Sequence, residues 1–388
     1  MPYAYTALDK TRKQIRLLTV LPGTLSSPIS CSVSLVELEA KPEYEALSYE
    51  WGSPTGMREL LLEGKPFSVR SNLWLALSYL RHTKKSQTFW IDAICIDQTN
   101  ILERNQQVGM MSDIYRNASI VRAWIGPESN TSAEAFKLLG RFKRTQTSGD
   151  NWKRAHKLSN YEREALFEFT NRSYWGRVWI VQELVLAQEI VFHCGEEDIV
   201  WSPSLLSSLR LVGFLHSPAG LILSLRDRRR TNSLLVLMRN CYSAQATDTR
   251  DKVFALLGIA DDISPDTIPV DYTVAVDGLK KQVDKLYRRR ELVNTPILWG
   301  SLGSSTTVDN MYDTDLGFSR YLDAYFHNPG LFGQIEQTRV LAVSTSYTTS
   351  VVKDKLRFVL SELESIEKFD TRRVDSGIVM EDSKYDSS

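Results

Sequence analysis

Two short apolar runs joined by an amphipathic stretch constrain the fold of this chain more than anything else in it. QTFWIDAICIDQ, residues 87–98, is rich in aromatic and β-branched residues and bounded by polar ones. That is the composition of a strand buried on both faces of a parallel sheet. Residues 100–117 then set Val108, Met111 and Tyr115 at i, i+3 and i+7, which predicts an amphipathic helix. ASIVRAWIGP, residues 118–127, reads as a second buried strand, stopped by Gly126-Pro127. Strand, helix and strand in succession make a βαβ unit, whose crossover is nearly always right-handed.

The flanking sequence adds antiparallel pieces. Residues 14–20 and 31–38 alternate as a strand pair divided by a Pro-Gly-Ser loop, and Tyr44–Tyr49 reads as a strand ending in a Gly and Pro turn. Residues 58–70 predict a hairpin turning at Gly64-Lys65, followed by a helix capped by Ser71 or Asn72 and carrying Leu73, Leu77 and Leu80. Helices are expected over 132–143 and 160–170, around a polar, mobile loop near Thr145–Trp152. A helix running to about Gln188 should lead into a hairpin that turns near Glu196-Glu197. Ser202-Pro203 supplies a cap and a first-turn proline for a helix with Leu205, Leu206, Leu209 and Val212. Further helices are expected over 231–258, ending at Gly258, and over 278–290 with Leu279, Val283 and Leu286. Beyond Thr295 the pattern weakens, and about the last twenty residues are polar enough to be disordered. The expected organisation is a core over 1–202, a helical extension packed on it over 203–295, and a weakly patterned tail over 296–388.

Composition narrows the function classes. Lys plus Arg and Asp plus Glu balance at 47 each, so no global field draws in nucleic acid or an anionic membrane. The one basic knot, Arg226–Arg230, contains Asp227 and reads as a solvated helix face. The four cysteines form no CxxC pair and the five histidines show no ligand spacing, so neither a metal site nor a cofactor is expected. The N-terminus has no apolar signal core, and no run reaches the roughly 20 apolar residues of a membrane span, which predicts a reducing, cytoplasmic location.

In open α/β sheets ligands gather at the carboxyl ends of the parallel strands. Three polar clusters are expected there: Ser48, Tyr49, Glu50 and Trp51; Asp92, Asp97 and Gln98; and Trp124. Each of these residues is also compatible with a purely structural role, since buried networks use the same side chains. The segment Arg172–Glu197 adds a glutamate among tryptophans. On a continuous helix, Trp175, Trp179 and Glu183 would share one face at i, i+4 and i+8, with Arg177 and Gln182 turned away. A carboxylate so placed is desolvated and its pKa raised unless Arg172 or Arg177 pairs with it. It is then either a buried strut or a site that binds ribose hydroxyls. Neither Ser173 nor Cys95 has a histidine placed to activate it, and both GxGxxG and GxxxxGK[ST] are absent.

YEALSYEWG, WIDAICIDQTNILERNQQVGMMSDIYRNASIVRAWIG and YWGRVWIVQELVLAQEIVFHCG, in that order, resemble the fungal heterokaryon incompatibility (HET) domain, and TDTRDKVFALLGIA resembles the segment that trails it. The resemblance spans about residues 3–260. It implies a fungal source and nonself recognition, in which fusion of unlike cells triggers programmed cell death, with self-association or other incompatibility proteins as partners. The HET domain is in turn distantly similar to the Toll/interleukin-1 receptor (TIR) fold. That similarity implies an α/β architecture: a flavodoxin-like parallel sheet with helices on both faces, here with added antiparallel N-terminal strands and hairpins and a helical C-terminal extension.

Trp179, Glu183 and Leu184 stand at i, i+4 and i+5 as in the TIR WCxxEL box, with Ile180 in place of the usual cysteine. The resemblance therefore places a catalytic role on Glu183, with NAD as the substrate cleaved at its nicotinamide bond. Tyr49, Trp51, Asp92, Asp97, Trp179 and Arg177 would then be the substrate-binding residues. Nicotinamide leaves as a neutral group, so a single carboxylate that steadies the oxocarbenium charge is enough, unlike the paired carboxylates of glycosidases. The alternative is a non-enzymatic signalling module that acts by self-association or partner binding.

Overall fold

The structure is a computed structural model of the chain, and it describes residues 3–144, 157–227, 233–264, 266–291, 322–328, 330 and 333. The expected loop at 145–152 and nearly all of the tail after 295 lie outside the described residues. The chain divides into two units, Met1–Ala275 and Val276–Ser388.

The first unit is mixed α/β, built on one nine-stranded sheet of order β5-β4-β2-β1-β6-β3-β7-β8-β9. The strands are β1 Gln14–Val20, β2 Ser30–Glu37, β3 Glu45–Tyr49, β4 Met57–Leu62, β5 Lys65–Arg70, β6 Gln87–Trp90, β7 Val121–Trp124, β8 Ile190–Cys194 and β9 Glu197–Val200. Four central strands, β6, β3, β7 and β8, are mutually parallel. Numbered among themselves they run 2-1-3-4, so the chain leaves β3 in one direction and returns past it to β7. Antiparallel pairs flank them: β1 lies on β2 and β6, and β9 on β8. The predicted N-terminal pair and both hairpins are therefore present.

The β4–β5 hairpin turns at Glu63-Gly64 with φ of 51° and 70°. Two consecutive positive φ values give the hairpin the twist of its strands, at a cost for any residue but glycine or asparagine. Glu63 offsets that cost through its carboxylate, which accepts from the Val33 backbone N–H at 2.6 Å. Next to the turn, β5 carries Pro66 on the sheet's outer edge.

The predicted 87–98 strand is shorter than expected. It ends at Trp90, and α2 (Asp92–Cys95) folds its second half into one helical turn. Asp92 accepts from Ala93 N there, which favours the turn over further extension. α3 (Ile101–Asn117) then crosses to β7, its first turn capped by Asn100. Glu103 of this helix faces Arg16 of β1, a nearly dry ion pair in which the guanidinium also donates to Thr6 O and Cys95 O.

α1 (Ser71–Leu80) has no side-chain cap at its start. Ser71 and Asn72 instead donate to the carbonyls of Gly56 and Glu50 and tie down the loop after β3. Asn72 also accepts from the Trp124 indole at 3.0 Å, which holds α1 against one face of the sheet. The opposite face receives α3, α4 (Ser132–Arg144), α5 (Asn160–Thr170) and α6 (Trp179–Leu186). Trp90, Trp124 and Trp175 are among the largest fully buried side chains. Each hides roughly 150–250 Å².

Behind this core lie α7 (Pro203–Leu211), α8 (Pro218–Asp227), α9 (Leu234–Asn240) and α10 (Asp251–Leu257). The single helix expected over 231–258 is two helices, because residues 241–250 form a turn and an extended connection between them. Arg226 of α8 is not on a solvated face. It donates to the carbonyls of Leu184, Ala187 and Gln188, which α6 leaves unpaired at its C-terminus. In the second unit, α11 (Val276–Glu291) buries Leu279, Val283 and Tyr287, while Leu286 is half-buried. Among the described residues no helix is long and apolar enough to cross a membrane.

Candidate functional site

The carboxyl ends of β3 and β6 meet the start of α6 in a polar cluster. The expected continuous helix through Arg172–Gln188 is not formed. Ser173–Gly176 makes a single 3-10 turn, Arg177 and Val178 bridge it to α6, and α6 ends at Leu186. The extended backbone at Arg177 breaks the periodicity, so Trp175 and Glu183 do not share a helix face, and Arg177 is not turned away. Its guanidinium donates to the carbonyl of Tyr49 at the end of β3.

Glu183 is 1% exposed. Its carboxylate takes a hydrogen bond from Ser48, whose hydroxyl lies 2.7 Å from the Tyr174 hydroxyl. One carboxylate oxygen, Oε2, has no hydrogen-bond partner. Burial pushes its pKa up to about 7, against the opposing pull of the Arg177 charge. Arg177 and Glu183 form no ion pair within 4.0 Å, and Arg172 points away, donating to Pro127 O, Ser129 and Ser132. The glutamate is thus neither locked against an arginine nor fully satisfied. It is a desolvated acid whose pKa is pushed up to about 7, a pattern found at working carboxyls and in buried structural networks alike.

Asp92 forms the outer part of the cluster. It accepts from the Trp51 indole at 2.7 Å and from the Tyr49 hydroxyl. Burial raises its pKa despite Arg177 and these donors. Tyr49 and Tyr115 are held well above the usual phenol range, chiefly by burial, and remain neutral donors. Burial alone would lower the Arg177 pKa, but Glu183 and Asp92 more than reverse that, so it stays charged. Trp51, Asp92 and Arg177 are half-buried, whereas Ser48, Tyr49, Tyr115, Tyr174 and Glu183 are buried. The first three form an outer layer and the rest an inner one.

The structure therefore brings together Ser48, Tyr49, Trp51, Asp92, Arg177 and Glu183 of the residues singled out in the sequence. It does not bring in three others. Asp97 turns its carboxylate to Thr99, Trp124 packs on α1, and the Trp179 indole points to Asp251. Tyr115 and Tyr174 complete the site. Ser48 was legible as a polar residue at a strand end, whereas nothing in the spacing of the two tyrosines marks them. Clefts of about 350 and 450 Å³ lie elsewhere, against His193 and against Lys10–Lys13 respectively. Among the described residues no group of three or more His, Cys, Asp or Glu is placed to hold a metal ion.

The cluster lies at the carboxyl ends of β3 and β6, where the order of the parallel strands reverses, the place at which open α/β sheets usually hold a ligand. Residues 44–183 match the model of the heterokaryon incompatibility protein (HET) family. The match begins at Tyr44, just before β3, and ends on Glu183 itself. The chain is also similar to "Heterokaryon incompatibility protein 6, OR allele" of Neurospora crassa, at 27% identity over 350 residues, covering 70% of this chain and 51% of the relative. It thus spans about half the length of that curated relative. No solved structure matches the chain.

Proposed function

We propose that this chain acts in heterokaryon incompatibility as a cytoplasmic effector of nonself recognition that triggers programmed cell death. In this reading the polar cluster around Glu183 is the working centre of a TIR-like domain over residues 1–202, and its reaction is cleavage of NAD at the nicotinamide–ribose bond. The observation that carries the enzymatic part is Glu183: a buried carboxyl with an unpartnered oxygen and a pKa pushed up to about 7. The 2-1-3-4 order of the parallel strands and the i, i+4, i+5 spacing of Trp179, Glu183 and Leu184 support the TIR-like part.

The chemistry needs one carboxylate. Nicotinamide departs neutral from a pyridinium, so the bond breaks without a proton being supplied to it. The ionised Glu183 stabilises positive charge developing on the ribose until water adds to the anomeric carbon and releases a proton to solvent, which gives ADP-ribose and free nicotinamide. Asp92 holds a sugar hydroxyl, the Trp51 ring stacks on a base, and Arg177 takes a phosphate. Purified protein is expected to consume NAD, and Glu183→Gln to reduce turnover by a factor of 100 or more, in the range of lost transition-state electrostatics (~10²–10³). Turnover in a folded Glu183→Gln variant equal to that of the wild type would sink the assignment.

The burial of Glu183, 1% exposed, favours a second reading. Here the cluster is a structural centre, and the chain signals by self-association or by binding another incompatibility protein. Toxicity in a fungal host that survives Glu183→Gln would select this reading.

A further inference from the structure

One later segment meets Gly176, Val178, Trp179 and Gln182, the stretch that leads up to Glu183. The Gln245 N–H donates to Gly176 O at 2.6 Å and the Val178 N–H to Gln245 O at 3.0 Å, a single parallel bridge at Arg177. The Trp179 indole is near enough to the Asp251 carboxylate to act as a donor that lowers its pKa against burial. Gln182, with its amide turned to suit both neighbours, donates to Ala255 O at 3.2 Å and accepts from Ser112 N at 3.0 Å. Gly258 packs so tightly on this amide and on Ser112 that a Cβ would come within 2.4 Å of the Ser112 Cβ.

Asp251 is itself held firmly. The Tyr272 hydroxyl donates to it at 2.6 Å. The Tyr272 ring lies 4.3 Å from the Arg104 guanidinium and 5.3 Å from that of Arg250. The Tyr272 backbone N–H donates to Asn105 at 3.1 Å, and Arg250 is paired with Asp248.

We propose that residues 245–258, which lie beyond the family match, are a working part of the site, and that Asp251 is a positioning residue for Glu183. Trp179 and Glu183 stand at i, i+4 on α6, so their side chains are neighbours. Asp251 fixes the indole, and the indole keeps water off the carboxylate. The charges that act directly on Glu183 are those of Arg177 and Asp92, not that of Asp251, so any influence of Asp251 passes through geometry. The inference rests on the reading of Glu183 as the site's working group, but its test does not depend on turnover.

The test is a carbon-13 NMR titration of the full chain labelled at glutamate, from acid to alkaline pH, with the Glu183 signal assigned by its loss in Glu183→Gln. Asp251→Ala is expected to move the Glu183 midpoint down by about one unit or more, as desolvation is relieved. Asp251→Asn keeps one acceptor oxygen for the indole, while its NH2 can donate to the Tyr272 hydroxyl, and is expected to leave the midpoint in place. Trp179→Phe keeps the ring but removes its N–H, and so repeats the test if Asp251→Ala fails to fold. A midpoint unchanged in either folded variant, Asp251→Ala or Trp179→Phe, overturns the proposal. NAD consumption measured on the same wild-type sample separates the two ideas: its absence removes the enzymatic reading and leaves the positioning result intact.

Discussion

At the scale of single residues, two buried charged groups behave in opposite ways. The Glu183 pKa of about 7 lies above its ordinary value of 4.5, so between those values the folded chain holds a proton that the unfolded chain has lost. Its contribution to stability is full below the lower value and is lost as pH rises through the higher. The cost of ionising it in place is at most about 3 kcal/mol, at 1.36 kcal/mol per unit. Glu183→Gln should therefore gain stability relative to wild type as pH rises from acid to slightly alkaline, which urea melts at a series of pH values will show. A flat difference would mean that the carboxyl is not desolvated.

Arg16 is the contrary case, since its charge is compensated by Glu103 and by two carbonyls. Arg16→Met should cost about 3–5 kcal/mol by leaving Glu103 uncompensated, and adding Glu103→Leu should recover much of that loss. A double-mutant cycle on chemical denaturation measures it. Neither behaviour is legible in the sequence. Glu183 could be marked as an acid among tryptophans, but whether Arg177 neutralised it depended on an extended break at Arg177 itself that periodicity does not reveal.

At the scale of elements, local sequence gave the strands and the crossover helix, because hydrophobic alternation and caps are local signals. Where expectation failed, a tertiary partner had overridden a local preference. Asp92 bends its strand into a turn with its own side chain. Ser71 and Asn72 leave the helix start to hold a loop, and Arg226 leaves solvent to close the end of α6. The Arg226 contact has a measurable value. Arg226→Met removes the donor from carbonyls that α6 cannot satisfy, and should cost about 1–3 kcal/mol. Hydrogen exchange should locate the loss in Leu184–Gln188, and uniform destabilisation across the sheet would contradict this account.

At the scale of the whole molecule, the first unit reaches to Ala275, well past the family match at Glu183. Residues 1–275 should therefore unfold cooperatively in urea. Residues 1–202 lack the partners of Gln182, Trp179 and the α6 C-terminus, and should lose cooperativity or aggregate, as circular dichroism and light scattering will report. This extension is the part of the fold least visible in the sequence, because its contacts join residues some seventy positions apart and leave no periodic trace.

The outer strands of the nine-stranded sheet bear on how copies of this chain can meet. In β5 the pair Leu62 and Lys65 closes the turn, so Pro66, the next residue, faces the free edge, where it has no N–H to offer. At the other margin β9 presents Glu197 and Asp198. Neither margin is a template on which a neighbouring chain can extend the ladder. Polymerisation by strand addition is thereby discouraged, which leaves helical surfaces, whose pairing is reversible and can be specified side chain by side chain, as the favoured place for copies to meet.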